Sequence, residues 1–414
     1  MIGDRLTLIS VAEAERLPLY RRPLMLLLLM AAAMPLSFAV WSALLNNFVI
    51  ERVAFDGADI GWLHTVREIP GFLADGVIAM IVIVREQVLG LVSLIMLGVA
   101  TAITAWFPTF GGLLATTMIA SIGFHYYETV NQSLQLQWIP KERAPQTLGW
   151  ILAAGSAASL VSYGLLVVGW KAFGLTYNFV YMVGGLATVA IALLCLFLYP
   201  QFEAPEPQHK TFVLRRRYWL YYALQFMSGA RRQIFIVFAA FMMVERFGME
   251  VHELTALFLL NFVANMAFAP VIGWAVARWG ERRALCFEYA GLVAIFLAYG
   301  GIYYFGWGLL LAAALYVLDH LFFALALALK TYFQKIADPQ DIAPTAAVAF
   351  TINHIAAVFL PFLLGYLWLH DPGMVFGLAA VLAAGSFLLA LLIPRHPERG
   401  RETVFQNGLA APAE

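Results

Sequence analysis

Long apolar stretches alternate with short polar segments along the whole chain, and each stretch is about as long as a membrane-spanning helix. A helix that crosses a bilayer needs roughly 20 mostly apolar residues. Windows of that length predict twelve spans, at 24–46, 60–84, 88–106, 113–137, 148–170, 178–199, 218–243, 254–277, 284–305, 308–333, 345–369 and 374–393. The pattern therefore predicts an all-α membrane protein with twelve transmembrane helices.

The composition excludes an ordinary soluble protein. Of the 414 residues, 62% are hydrophobic and 12% are charged, whereas a soluble domain is about 45–50% apolar and about 25% charged. Lys and Arg balance Asp and Glu at 25 each, so no basic surplus points to nucleic acid. The two cysteines, Cys195 and Cys286, have no metal-ligand spacing, and the sequence contains no Gly-rich phosphate loop. We expect neither an enzyme nor a bound cofactor.

Basic residues predict the orientation, because cytoplasmic loops carry an excess of Lys and Arg. If both termini are cytoplasmic, the opposite side holds only Arg52, Lys171 and Arg246 among the basic residues of the loops. The first apolar run is too long for the core of a cleaved signal peptide. We therefore expect a multi-pass protein of a bacterial-type inner membrane, with both termini in the cytoplasm.

The chain divides into two similar halves. Glu51-Arg52 follows the first span, and Glu245-Arg246 follows the seventh in the same way. The segment 137–145 after the fourth span resembles the segment 334–344 after the tenth at nearly the same shift. Two matches at nearly one period indicate a duplicated six-helix unit. We predict two pseudo-symmetric six-helix bundles, with boundaries at 1–199 for the first bundle, 200–217 for a cytoplasmic central loop, 218–394 for the second bundle and 395–414 for a cytoplasmic tail.

A short motif joins the eighth and ninth predicted spans. Its candidate gating residues are two glycines and three arginines, namely Gly273, Arg278, Gly280, Arg282 and Arg283. Gly280 permits a tight turn between antiparallel helices, and the arginines suit an anionic cytoplasmic membrane surface.

This motif resembles the short cytoplasmic signature of the major facilitator superfamily, G-x-x-x-D-R-x-G-R-R, with Ala277 in place of the acidic residue. The resemblance covers essentially the whole chain. In the first half, only the start of the signature is kept, from Gly71 to Asp75. The resemblance implies alternating access by a rocker-switch movement, with a substrate site near the bilayer midplane between the two halves.

Ionisable groups inside the spans are the candidate functional residues. Each costs about 2.5–3.5 kcal/mol at the centre of a helix, so such groups usually face partners or a watery cavity. The candidates for substrate binding or coupling lie in spans 2, 4, 7 and 10, and are Arg67, Glu68, Asp75, His125, Glu128, Asn131, Arg231, Arg232, Asp319 and His320.

Most of these residues allow both a functional and a structural interpretation. Glu128 is the best candidate for a proton carrier, although a carboxylate that is permanently paired with an arginine would not titrate. The stripe of Arg67, Glu68 and Asp75 is either a substrate or proton site, or an ion network that holds span 2 to its neighbours. The arginines of span 7 suit recognition of a carboxylate or phosphate, or else form structural pairs.

The sequence therefore predicts a secondary transporter of a small anionic or zwitterionic organic solute, coupled to protons. We expect a monomer in contact with lipid and no nucleic-acid partner. Four intramembrane histidines, with several methionines, leave open a carrier of transition-metal ions or metal chelates. Multidrug efflux is also compatible with the pattern, as is a sensor or assembly factor built on a transporter scaffold.

Overall fold

The N-terminal segment of the chain is anchored before the first long helix begins. The computed structural model describes residues 8–11, 13–73, 77, 80–81, 83–139, 144–203, 214–338 and 341–406. Strand β1 (Leu8–Ser10) runs parallel to β2 (Gln201–Glu203), and Ile9 lies opposite Phe202. The segment ahead of the first span is therefore paired with the segment that follows the sixth.

Each predicted span of the first half coincides with a helix. The helices are α1 (Pro23–Val53), α2 (Gly57–Phe72), α3 (Glu86–Ile103), α4 (Phe110–Trp138), α5 (Ala144–Ala172) and α6 (Tyr177–Leu198). The predicted second span continues past Phe72 into residues 74–76, 78–79 and 82, which lie outside the described part of the chain.

The second half is also helical, but two of its helices are not α-helical throughout. Four regular helices are α8 (Val251–Trp279), α9 (Glu281–Phe305), α11 (Ile342–His370) and α12 (Pro372–Ala390). The other two are α7, made of Trp219–Gln233, the π-helical Ile234–Ala239 and Ala240–Glu245, and α10, made of Leu309–Phe323, a 3₁₀ turn at Ala324–Ala326 and Leu327–Ile336.

Local sequence explains where several helices begin. The side chains of Thr109 and Thr176 accept hydrogen bonds from backbone N–H groups in the first turns of α4 and α6, as is usual for N-cap residues. Asp371 caps α12 in the same way. Gly280 precedes α9 with a φ of 78°, a conformation that favours glycine because it has no Cβ.

Most of the helices are long and apolar enough to cross a bilayer. Ten candidate spans meet that condition among the described residues, and α2 and α4 are not among them. The described part of α2 has 16 residues and is shorter than a span. The 29-residue α4 is long enough, but it carries the polar side chains predicted from span 4. The predicted all-helical membrane fold of twelve helices in two six-helix bundles is confirmed.

The chain divides into two compact units. The N-terminal unit comprises Met1–Ala54, Val66–His209 and Glu250–Ala256, and the C-terminal unit comprises Phe55–Thr65, Lys210–Met249 and Leu257–Glu414. The domain boundaries proposed from the sequence stay a prediction.

Glycines allow helices to approach to backbone contact within each unit. In the N-terminal unit, a Cβ added to Gly185 would lie 2.3 Å from the carbonyl oxygen of Gly98, where α6 meets α3. In the C-terminal unit, a Cβ added to Gly61 would lie 2.3 Å from the carbonyl oxygen of Pro361, where the start of α2 meets α11. No larger residue fits at these contacts without moving a backbone, because protein interiors are close-packed.

The residues after α12 are part of the packed C-terminal unit. Arg217 pairs with Asp338 and lies 4.0 Å from the carboxylate of Glu402. The Tyr332 hydroxyl donates to the backbone oxygen of Glu402 at 2.6 Å, and Glu402 is only 1% exposed. These contacts hold the C-terminal segment against the ends of α7 and α10.

The contact at Gly61 gives a prediction about stability. We expect Gly61→Ala to lower the melting temperature of the purified protein in detergent, because overpacking costs about 1–3 kcal/mol. The matched control is Gly164→Ala in α5, where a Cβ meets no atom within 4 Å. Alanine is favoured over glycine in a helix by about 1 kcal/mol, so the control should melt at the same temperature as the parent or higher. Equal melting temperatures for both variants would contradict the close contact.

Candidate functional site

The α7 helix changes its hydrogen-bond pattern beside its charged residues. Arg231 and Arg232 lie in the last turn of the α-helical segment, and the π-helical segment begins at Ile234. Its wider turns contain more residues than those of an α-helix, so the segment alters which residues face each neighbour. Single π-helical turns inside α-helices are frequent at functional sites.

Arg231 lies at the centre of a buried charge cluster in the C-terminal unit. Its guanidinium is 3.6 Å from the carboxylate of Glu288 in α9 and lies over the ring of Tyr289, 4.4 Å from the centroid. Asp319 of α10 interacts electrostatically with both Arg231 and Glu288. Arg231 and Asp319 are 1% exposed and Glu288 is fully buried. We call Arg231, Glu288 and Asp319 the buried triad.

The buried triad has one positive and two acidic groups, so its charges do not balance if both acids are ionised. Both oxygens of Glu288 and one of Asp319 have no hydrogen-bond partner among the described residues. Burying an unbalanced charge costs several kcal/mol, because the low-dielectric interior does not replace the lost hydration. If one carboxyl group of the triad holds a proton, the remaining carboxylate balances the charge of Arg231.

Arg232 faces a different helix from its neighbour Arg231, as their angular separation on a helix requires. Its guanidinium donates to the side-chain oxygen of Asn353 in α11 at 3.0 Å, and Asn353 donates to the backbone oxygen of Gln225. A Cβ on Gly229 would lie 2.4 Å from the backbone oxygen of Asn353. Arg232 thus belongs to a close contact between α7 and α11.

His320 follows Asp319 in sequence but contacts a different helix. Its ring nitrogen Nε2 lies 2.8 Å from the side-chain nitrogen of Asn265 in α8. Its ring centroid also lies 6.0 Å from that of Phe235 in α7, so His320 contacts both α7 and α8.

The N-terminal unit brings together the predicted residues of spans 2 and 4. Arg67 forms an ion pair with Glu68, and the Ser121 hydroxyl donates to the backbone oxygen of Arg67. A carboxylate oxygen of Glu68 and a ring nitrogen of His125 lie within 4.8 Å of each other. The Arg67 guanidinium also faces the Trp41 ring, 5.8 Å from its centroid.

The remaining candidates of the first half are Glu128 and Asn131 on α4 and Asp75 in the predicted second span. Glu128 is exposed on α4, and Asn131 is half-buried one turn later. The side-chain oxygen of Asn131 has no hydrogen-bond partner among the described residues. Asp75 lies outside the described residues, so its predicted place in a stripe with Arg67 and Glu68 stays a prediction.

The predicted gating motif forms the turn between α8 and α9. Arg278 and Arg283 are exposed, Arg282 is half-buried and Gly280 makes the turn. A Cβ at Gly273 would meet no atom within 4 Å. Glu281, the first residue of α9, is 3% exposed and pairs with Lys335 at 2.7 Å.

Sequence reasoning missed Glu288. The sequence does mark this residue, because an ionisable side chain inside a predicted span costs free energy. It lies near the start of span 284–305, however, where a charged residue also suits the membrane surface. Only its contact with Arg231, far away in the sequence, identifies it as part of a buried cluster.

Comparisons with known proteins agree on one fold. The sequence profile of the Major Facilitator Superfamily matches residues 24–361. No curated protein matches the sequence.

Several solved structures are similar in fold at low sequence identity. The nucleoside transporter NupG is 14% identical with a TM-score of 0.70, over 89% of this chain and 98% of its own. A bacterial homolog to the human lysosomal transporter Spinster, inward-facing and occupied, is 14% identical with a TM-score of 0.66, over 89% and 95%. A mutant of the peptide transporter POT in complex with sulfate is 15% identical with a TM-score of 0.65, over 92% and 98%.

The charge balance of the buried triad predicts a stability pattern. Glu288→Gln or Asp319→Asn alone leaves one carboxylate for Arg231, so each should change the melting temperature little. The double variant leaves the buried guanidinium without an acid and should cost about 3–5 kcal/mol. Thermal melting of the three variants in detergent checks this. Additive, equally small effects would contradict the assignment of Arg231 to the triad.

Proposed function

The chain belongs to the Major Facilitator Superfamily, and on that premise we propose that it moves a small anionic or zwitterionic organic solute by proton-coupled alternating access. Membership makes it a membrane transporter and not an enzyme. The observation that carries the coupling is the buried triad of Arg231, Glu288 and Asp319, where two acids share one base.

Proton coupling requires a group that can change its charge inside the membrane. The triad offers one, because Arg231 can neutralise only one of its two acids and burial disfavours the remaining charge. Glu288 is the better candidate, since both of its oxygens lack a hydrogen-bond partner among the described residues. Release and uptake of the proton would then alter how strongly Arg231 holds α9 and α10.

Arginine side chains support the choice of solute. A guanidinium group binds a carboxylate through two parallel hydrogen bonds, which gives both charge and shape recognition. Arg67 and Arg232 are only partly buried, so a solute can reach them, whereas Arg231 is enclosed. The paired Arg67 and Glu68 place both signs of charge in the N-terminal unit, which suits a zwitterion as well as an anion.

A transport assay tests the coupling. Melting-temperature screening of organic acids and amino acids first identifies a solute that stabilises the protein, because a ligand of the folded state raises its stability. Proteoliposomes filled with the pH-sensitive dye pyranine then receive that solute. For a proton that moves in the same direction as the solute, we expect the lumen to acidify with the parent protein. The Glu288→Gln protein should still exchange labelled solute but should no longer acidify the lumen. Unchanged acidification would remove Glu288 from the coupling.

Glu128 is the competing proton carrier from the sequence, and it provides the comparison. It is exposed on α4, whereas Glu288 is fully buried within the unbalanced charges of the buried triad. We expect Glu128→Gln to acidify the lumen as the parent does. If Glu128→Gln lost acidification and Glu288→Gln kept it, the proton carrier would be Glu128 in the N-terminal unit.

The orientation is also a proposal, in which both termini face the cytoplasm of a bacterial-type inner membrane and the protein acts as a monomer surrounded by lipid. It follows from the concentration of basic residues in alternate loops. Green fluorescent protein fused after Glu414 should fluoresce, because it folds in the cytoplasm but not after export in an unfolded state. A dark fusion with an active alkaline phosphatase fusion at the same site would reverse the orientation.

A further inference from the structure

A cavity inside the N-terminal unit combines flat aromatic walls with polar groups. It is lined by residues of α1, α2, α3 and α4, and its aromatic and polar lining residues are Phe38, Trp41, Arg67, Thr117, Ser121 and Phe124. We call it the aromatic cavity. Leu97 and Ala120 complete its wall with apolar groups.

The aromatic rings lie nearly parallel to one another. Phe38 and Phe124 have centroids 4.8 Å apart with an interplanar angle of 18°, and Phe38 and Trp41 have centroids 6.3 Å apart at 26°. Aromatic rings prefer offset-stacked or edge-to-face neighbours, so walls of this kind favour a flat ring over a flexible chain. Phe38 and Phe124 are half-buried, which leaves the cavity open to a solute.

Two polar atoms in the wall lack a hydrogen-bond partner in the part of the chain that the structure describes. They are the Nε of Arg67 and the hydroxyl of Thr117, and Thr117 is only 2% exposed. Buried polar groups are nearly always paired in folded proteins, because leaving one unpaired costs free energy. The Ser121 hydroxyl is already used by the backbone oxygen of Arg67. Arg67 and Thr117 therefore each present a hydrogen-bond donor to the cavity for which the described residues provide no acceptor.

The Arg67 guanidinium can donate a hydrogen bond to a solute while it stays paired with Glu68. Its Nη2 pairs with Glu68, while its Nε remains available, and a guanidinium carries five N–H donors in a fixed plane. A carboxylate oxygen of a solute is the acceptor that best matches such a donor. The Thr117 hydroxyl can donate to the same carboxylate.

We propose that the aromatic cavity binds a planar aromatic monocarboxylate, with its ring among Phe38, Trp41 and Phe124 and its carboxylate on Arg67 and Thr117. This rests on the proposed function, since it narrows the organic solute to an aromatic acid and places its recognition in the N-terminal unit. Glu288, the proposed coupling residue, lies in the C-terminal unit. Solute binding and proton coupling can therefore be tested separately.

Binding of radiolabelled benzoate to the purified full chain tests the site. We expect Thr117→Val to weaken the binding at least about tenfold, because the variant loses one hydrogen bond to a charged acceptor. The matched control is Thr116→Val, because Thr116 is similarly buried but its hydroxyl bonds to its own helix at Gly112. The control should bind benzoate like the parent. Cyclohexanecarboxylate, which has the charge without a flat ring, should compete several-fold less well than benzoate.

The outcomes separate this inference from the proposed function. If benzoate does not bind, if Thr117→Val binds it like Thr116→Val, or if cyclohexanecarboxylate competes equally well, the aromatic site is wrong. Proton-coupled flux of an aliphatic acid would then leave the transport proposal intact. If benzoate binds and Thr117→Val weakens that binding, but no solute changes the luminal pH of liposomes, the aromatic site is supported and the proposed proton coupling is wrong.

Discussion

The structure depends on the cost of keeping ionised groups where water is excluded. In an apolar helix, a charged side chain is tolerated when a partner, a cavity or the membrane surface is within reach. Arg231 is the clearest case, because it is enclosed and is held by Glu288, Asp319 and the ring of Tyr289. Moving α9 or α10 away from α7 would separate these charges, so the triad holds three helices of the C-terminal unit together.

The same constraint is met differently in the N-terminal unit. Arg67 and Glu68 are adjacent in sequence and pair with each other, and Glu68 also lies beside His125 of α4. This local pairing leaves the guanidinium Nε and the hydroxyl of Thr117 available in a cavity. An internal pair therefore stabilises α2 and still leaves donors for a solute, whereas the buried triad uses its cation internally.

A close contact between α7 and α11 lies beside the charged residues of α7. Gly229 allows α7 to touch the backbone of α11 at Asn353, beside the hydrogen bond from Arg232. The π-helical segment begins directly after this contact. A helix that is fixed at one turn and irregular at the next has a defined place to bend.

The sequence by itself determined the number of spans and the helical class, because the length and apolar character of a spanning helix are local properties. It also indicated the family, through the short motif between the eighth and ninth spans. It also identified Arg67, Glu68, Arg231 and Asp319 as unusual, since a charge inside an apolar run needs no structure to be noticed. Only the tertiary structure showed that Glu288 belongs with Arg231, that Arg232 faces Asn353 and that His320 contacts Asn265. Partners from different helices depend on helix rotation and packing, and helical periodicity alone does not decide which faces meet.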